Sequence, residues 1–289
     1  MKKSIEDVFY CQVCGDIRSH CLVYKKNDIP IYRCSICGVG RARIEGFDPE
    51  SYYTDEYFNG GYDESYVDYL ASEEVLRREF RKTVRYLRRL GAVEGKCLEI
   101  GCAYGFFLQE ARPYYDVYGV ELADAAARYC RETGLANVRK GKLNREFLAE
   151  IGALDVVVML DVIEHIDGLE DVTNMVTSFM KPGAVLLLTT GDWSSLLARL
   201  AGKSWRLMAP PGHLWYLTVD SLDVLMLRHG MIRIDVGYPW KIVPFELIVK
   251  QAAGMLGWRL PIRFPGLLRN MGLPANLFDC IRAVYRKVS

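Results

Sequence analysis

The side chains best placed for chemistry fall in four groups. The first is Cys11-x-x-Cys14-Gly15 with Cys34-x-x-Cys37-Gly38, two knuckles whose glycines let backbone N–H groups turn toward sulfur. Four thiolates at this spacing suit a closed, tetrahedral structural zinc site with no position left for catalysis, ahead of an iron centre, a redox pair or a ribbon that no longer binds. His20 and Cys21, between the pairs, read as bystanders. The second group is Glu99-Ile100-Gly101-Cys102-Ala103-Tyr104-Gly105, a strand end running into a small-residue turn and a helix start over 106–112. Such a turn lets backbone approach a nucleotide-type ligand and leaves its N–H groups free to donate. Glu121, at the end of the next strand, is suited to accept from two ribose hydroxyls.

The third group is Asp161-x-x-Glu164-His165. It reads as a capping box with Asp161 at the N-cap, as a substrate-side acid or base, or as a divalent-cation site of hard oxygens and one imidazole. The fourth follows a strand ending at Thr190: Asp192 lies where ligands bind beyond strand carboxyl ends, and His213 sits in Pro210-Pro211-Gly212-His213-Leu214-Trp215-Tyr216. An imidazole in a semi-enclosed Pro-Gly loop suits a general base; capping a helix or bonding a carbonyl is the alternative.

These groups need a scaffold. From Lys96 onward apolar runs (97–100, 117–120, 155–160, 184–189, 232–238, 280–285) alternate with helical segments, the pattern of a parallel sheet wrapped by helices. Lys181-Pro182-Gly183 is expected to end the helix before the 184–189 strand. The expected organisation is a four-cysteine module over 1–45, a Tyr-rich linker and basic amphipathic helix over 46–91, and an α/β domain over 92–289 with an apolar, basic insertion at about 239–276. The linker, with Asn59-Gly60-Gly61 as a turn, is expected to pack on the main domain, and the helix's arginines to be a solvated face. Lys241 and Lys250 interrupt the insertion, which fits contact with a membrane surface and not a span.

Glu99 to Gly105 resembles motif I of the class I S-adenosylmethionine (SAM)-dependent methyltransferases. Leu154 to Ile166 resembles that family's fourth strand and following turn, and Lys181-Pro182-Gly183 its next element. The resemblance covers about 96–239 plus the last strand. It implies a Rossmann-like seven-stranded sheet with helices on both faces, beside the small zinc ribbon. It also implies a SAM pocket lined by Glu99, Gly101, Cys102, Ala103, Gly105, Glu121 and Leu122, with Asp161 near the methionine end. Around Gly141-Lys142-Leu143 the sequence lacks the acid many members set against adenine. Asp161, Glu164 and His165 are similar to the E-x-x-E-H of ubiquinone-biosynthesis O-methyltransferases, which implies a divalent cation there. The run from Gly191 to Thr218 resembles a bacterial subgroup; His213 is then expected to deprotonate a hydroxyl acceptor, with Asp161 or Asp192 as orienter.

The cysteine pairs also resemble those of nucleotide-sugar C-methyltransferases, whose further C-terminal domain is not expected here, and of a ribosomal RNA guanine methyltransferase type. A net charge of +1 and the lack of an Asn-Pro-Pro-Tyr-type motif argue against nucleic acid. Nine cysteines, an odd number without a secretion signal, indicate a reducing compartment, so a cytoplasmic protein is expected. The expected activity is O-methylation of a small acceptor such as a sugar, glycolipid precursor or quinone-like molecule. C-methylation of a nucleotide sugar, RNA methylation and a non-catalytic SAM-binding scaffold are the rivals.

Overall fold

A computed structural model describes residues 6–59, 68–245, 248–249, 253 and 272–288. Gly60, Gly61 and most of the 239–276 insertion lie outside the described residues.

The main sheet has seven strands: β5 (Lys96–Ile100), β6 (Asp116–Glu121), β7 (Val138–Lys140), β8 (Leu154–Leu160), β9 (Met180–Gly191), β11 (Met231–Gly237) and β14 (Cys280–Lys287). Their order is β11-β14-β9-β8-β5-β6-β7, and β14 alone runs antiparallel, pairing with both β9 and β11. Alternation explains the continuous apolar runs. Leu98, Val157, Met159, Leu186, Leu188 and Tyr285 face one hydrophobic cluster, while Cys97, Val156, Val158, Leu187 and Val284 face another. The paired middle of each central strand is therefore buried on one side or the other. Helices α5 (Arg145–Ile151), α6 (Leu169–Ser178) and α8 (Val219–Arg228) cover the first face; α2 (Glu73–Arg89), α3 (Phe106–Ala111) and α4 (Asp124–Glu132) cover the second. The arginines of α2 pair with carboxylates, Arg77 with Glu73 and Glu110 and Arg78 with Glu74, as a solvated face does.

Lys181-Pro182-Gly183 does not stop the helix as expected. The chain leaves α6 at Ser178, and these three residues are the exposed beginning of β9, where the sheet has no neighbour for Pro182 to disappoint.

The N-terminal residues form β1 (Glu6–Cys11), β2 (Asp16–Lys26), β3 (Ile29–Cys34) and β4 (Gly40–Ala42), an antiparallel sheet. It is not closed on itself. Its fifth strand is β10 (Trp215–Tyr216), from the far side of the chain, pairing Trp215 with Arg41 and Tyr216 with Gly40. Gly40 is required there, because a Cβ would stand 2.4 Å from the Trp193 ring and 2.8 Å from Tyr216 Cβ. Cys11, Val13, Cys34, Cys37 and Val39 share one core with Leu214, Trp215, Leu217 and α8. Arg228 seals the seam by donating to the Gln12 and Val13 carbonyls and pairing with Glu170, which also accepts from Tyr10 Oη at 2.7 Å. Too short to bury a core alone, the module borrows one.

The linker begins with α1 (Pro49–Tyr52), capped by Asp48, and packs Tyr57, Phe58 and Tyr69 against Tyr104, Phe106 and Tyr129. Two strands remain: β12 (Lys241–Pro244) and β13 (Gly272–Ala275) pair as a separate two-stranded antiparallel sheet within the described part of the insertion. No helix among the described residues is long and apolar enough to cross a membrane. Between β9 and β10, α7 (Leu196–Ala201) is capped by Ser195, whose Oγ accepts from Ala198 N.

Candidate active site

The glycine loop joins β5 to α3. Gly101 (φ +70°), Ala103 (φ +47°) and Gly105 (φ +72°) all take left-handed backbone, so the turn is tight and strained at Ala103, which lacks glycine's freedom. A Cβ at Gly101 would meet Val162 Cγ2 at 2.6 Å, and one at Gly105 would meet Leu135 Cδ1 at 2.5 Å. Four of the N–H groups expected to be free are engaged within the chain. Gly101 N and Cys102 N both donate to the Val120 carbonyl (2.9 and 3.1 Å), and Gly105 N to that of Cys102. Ala103 N donates to Glu121 Oε2 at 2.7 Å. The Val120 carbonyl, the Glu121 carboxylate and the loop's own Cys102 carbonyl thus engage four amides of the turn.

Glu121 is buried and holds the loop in shape, its Oε1 accepting from Ala123 N at 2.9 Å, with a further bond from the Leu122 backbone. Burial pushes its carboxyl above the usual range against those donors. A carboxylate has about four lone-pair sites, so capacity for hydroxyl donors remains. Glu99 is buried with Oε2 unpartnered, and burial holds its pKa well above the carboxylate norm. An orphaned acceptor of this kind calls for a donor from a bound molecule. Cys102 turns its thiol into the core, toward Cys130.

At the carboxyl edge of β8 the capping-box reading is overturned. Asp161 stands at φ +57°, and its carboxylate accepts from Thr189 Oγ1 at 2.8 Å and from Lys241 Nζ at 2.8 and 3.0 Å, not from helix N–H groups. The 3-10 turn Ile163–His165 has no side-chain cap. Burial opposes the charge on Asp161, but Lys241 overcomes it and holds the carboxyl below its usual range.

The residues that do converge are Glu164, His165 and His213, whose ligand atoms lie within 4.8 Å of one another. The cation site expected at Asp161, Glu164 and His165 is thereby altered: His213 takes the place of Asp161, which Lys241 and Thr189 engage. Glu164 Oε2 is buried and unpartnered, and burial together with the Asp161 charge pushes its pKa up to about 8. His165 Nδ1 lies 2.6 Å from Tyr53 Oη and 2.9 Å from the Gly212 carbonyl, and Tyr53 donates to that carbonyl at 2.7 Å. These bonds close only with the proton on Nδ1. His213 is buried; burial, then the neighbouring His165, drives its pKa well below 6.5, against a Leu207 carbonyl that pulls upward. The imidazole is therefore neutral at pH 7.

Asp192, 1% exposed, lies just beyond β9 as expected, yet both oxygens are occupied. Oδ1 accepts from Ser194 N and Oγ (2.8 and 2.6 Å), and Oδ2 from Tyr238 Oη at 2.5 Å. It is not brought to His213 by any bond. Nearby, Asp279 receives Trp205 Nε1 at 2.9 Å and the Arg206 guanidinium at 2.9 and 3.1 Å. Sequence reasoning passed over Tyr53, Lys241 and Arg206. The tyrosine density was the one visible signal, and it read as packing.

The four cysteines are also brought together. Cys11 and Cys37 sulfurs are 3.7 Å apart and those of Cys14 and Cys34 are 3.8 Å apart, with all nine cysteines free of disulfides. Zinc–sulfur bonds of about 2.3 Å give a tetrahedral edge of about 3.8 Å, so the thiolates fit zinc.

Comparison with known proteins agrees with this geometry. A family model described as a methyltransferase domain matches residues 72–231. A ubiquinone biosynthesis O-methyltransferase of Methylococcus capsulatus is 29% identical over 127 residues, covering 40% of this chain and 53% of that protein. Its counterpart in Colwellia psychrerythraea is 25% identical over 157 residues, covering 50% of this chain and 64% of that one. The match thus spans less than two thirds of these relatives. Magnesium protoporphyrin IX methyltransferase of Synechocystis, solved with bound SAH, aligns over 83% of this chain and 100% of its own, with a TM-score of 0.51 and 14% identity, a likeness of fold. With the family model covering more than half of the sequence, and the seven-stranded sheet carrying the glycine loop where the motif requires it, the chain belongs to the class I SAM-dependent methyltransferases.

Proposed function

We propose that the chain moves the methyl group of SAM to a hydroxyl of a small acceptor, a sugar, glycolipid precursor or quinone-like molecule. The observation that carries this is His213: a buried imidazole, neutral at pH 7, beside Glu164 and His165 at the strand ends where the acceptor is expected. The curated relatives are O-methyltransferases by name, which supports oxygen as the acceptor atom. The unpartnered Glu99 oxygen supports a cofactor that brings a donor. Glu99, Gly101, Cys102, Ala103, Gly105, Glu121 and Leu122 would line its site, Cys102 through its backbone.

SAM supplies a methyl group on a sulfonium, a leaving group already activated. The chain's part is alignment, exclusion of water and removal of one proton. His213 accepts the acceptor's hydroxyl proton as the new C–O bond forms and the C–S pair returns to sulfur. The Asp161 charge nearby favours the resulting imidazolium. Lys241 holds Asp161 in place. A radiolabelled methyl transfer assay over a panel of hydroxylated acceptors tests the reading; a protein that binds SAM but labels none of them is a scaffold.

The Glu164–His165–His213 convergence favours a second reading, in which a divalent cation is held there and His213 is a ligand. A bound cation would polarise the acceptor oxygen. Activity that requires added magnesium while the four-cysteine zinc stays bound, and that Glu164→Gln loses, selects it.

A further inference from the structure

The segment carrying His213 is held from two sides. On one, Leu214 N donates to the Glu164 carbonyl and Trp215 Nε1 to that of Ile166, at 2.9 and 2.7 Å. On the other, Ala42 N donates to the Leu214 carbonyl at 2.9 Å, and β10 adds to β4 at Gly40 and Arg41, with the Arg41 guanidinium over the Trp215 ring. That second hold begins at the cysteines: Cys34 ends β3, Cys34 N donates to the Val39 carbonyl, and Gly40 opens β4 three residues after Cys37. A two-residue strand cannot persist by itself, so the position of β10 depends on a fixed β4.

We propose that zinc at Cys11, Cys14, Cys34 and Cys37 fixes the acceptor-side loop, so that the four-cysteine module is a positioning element for methyl transfer. The inference rests on the reading that this loop faces the acceptor. Zinc pins the turn between β3 and β4, β4 sets β10, and β10 sets the His213 backbone. The SAM loop between β5 and α3 shares none of these bonds.

The test compares purified protein, shown by metal analysis to hold one zinc per chain, with the same protein stripped by a chelator. Amide hydrogen exchange over 212–217 is expected to accelerate at least tenfold and turnover to fall at least tenfold, with SAM affinity within twofold and protection over 96–123 retained. Gly40→Val, which keeps all four cysteines but crowds Trp193 and Tyr216, is expected to do the same with zinc still bound. Unchanged exchange over 212–217 after zinc loss overturns the proposal. So does loss of SAM binding together with protection over 96–123, since zinc would then hold the whole fold, and so does a purified chain that has protected 212–217 but no zinc. Faster exchange over 212–217 with His213→Ala fully active supports the coupling and rejects His213 as the base, so the two readings fail separately.

Discussion

The imidazoles of His165 and His213 meet edge to face, 4.7 Å between ring centroids, and each is buried enough that its charged form is disfavoured. A base must be neutral to act, and the pKa of His213 lies well below 6.5. The acid limb of the kcat/KM profile is therefore expected below pH 6.5, with a plateau through neutrality. His213→Gln is expected to lower turnover by about 10² to 10⁴ and to abolish that limb, with SAM affinity unchanged by calorimetry. Full turnover in the variant would reduce His213 to a structural role.

Glu164 makes a prediction of opposite sign. Its folded pKa, about 8, stands above the ordinary 4.5. Below that ordinary value both folded and unfolded chains are protonated at this site. As pH rises from there toward 8 the unfolded chain ionises and the folded one does not, so stability drains away, by at most about 1.4 kcal/mol per pH unit. Glu164→Gln is expected to melt above the parent protein by a margin that widens between pH 5 and pH 8. If the cation reading holds, added magnesium at pH 8 raises the melting temperature of the parent but not of the variant.

Glu121→Ala removes the tie to Ala103 and, on the proposed reading, an acceptor for the cofactor's hydroxyls. Each charge-assisted bond lost should cost about 1.5 to 3 kcal/mol, so SAM affinity is expected to fall by one to two orders of magnitude or more in calorimetry. Unchanged affinity would place the cofactor elsewhere.

Asp279, 1% exposed, neutralises Arg206 in a buried pair. Asp279→Ala leaves that guanidinium and the Trp205 indole N–H without their acceptor, and urea unfolding is expected to show a loss of about 3 to 5 kcal/mol. Replacing Arg206 with methionine alongside should recover part of it, because the uncompensated charge is gone.

The sheet was readable because its strands are apolar on both faces, and the glycine loop because left-handed turns constrain residue type. Other features left no such trace. Val138–Lys140 has one buried residue, too few for a period to register. Trp215 and Tyr216 carry no sign that their partners are Arg41 and Gly40, since a two-residue strand has no alternation of its own. Lys241 read as a break in an apolar stretch, while in the fold its ammonium bridges Asp161; a pairing across 80 positions is set by tertiary packing alone. Asp161-x-x-Glu164 had the spacing of a cap, but the positive φ at Asp161 turns the carboxylate away from the helix start.

The placement of β10 in the N-terminal sheet has a consequence for biosynthesis. When β4 has left the ribosome its outer edge has no partner until Trp215 and Tyr216 follow, roughly 170 residues later, or about ten to thirty-five seconds at ordinary elongation rates. Through that interval the Gly40–Ala42 edge presents open N–H and carbonyl groups that another nascent chain can capture. Loading metal early would stiffen the hairpin but not cover the edge, so the safest order of assembly closes the N-terminal sheet and seats the His213 loop in a single late event.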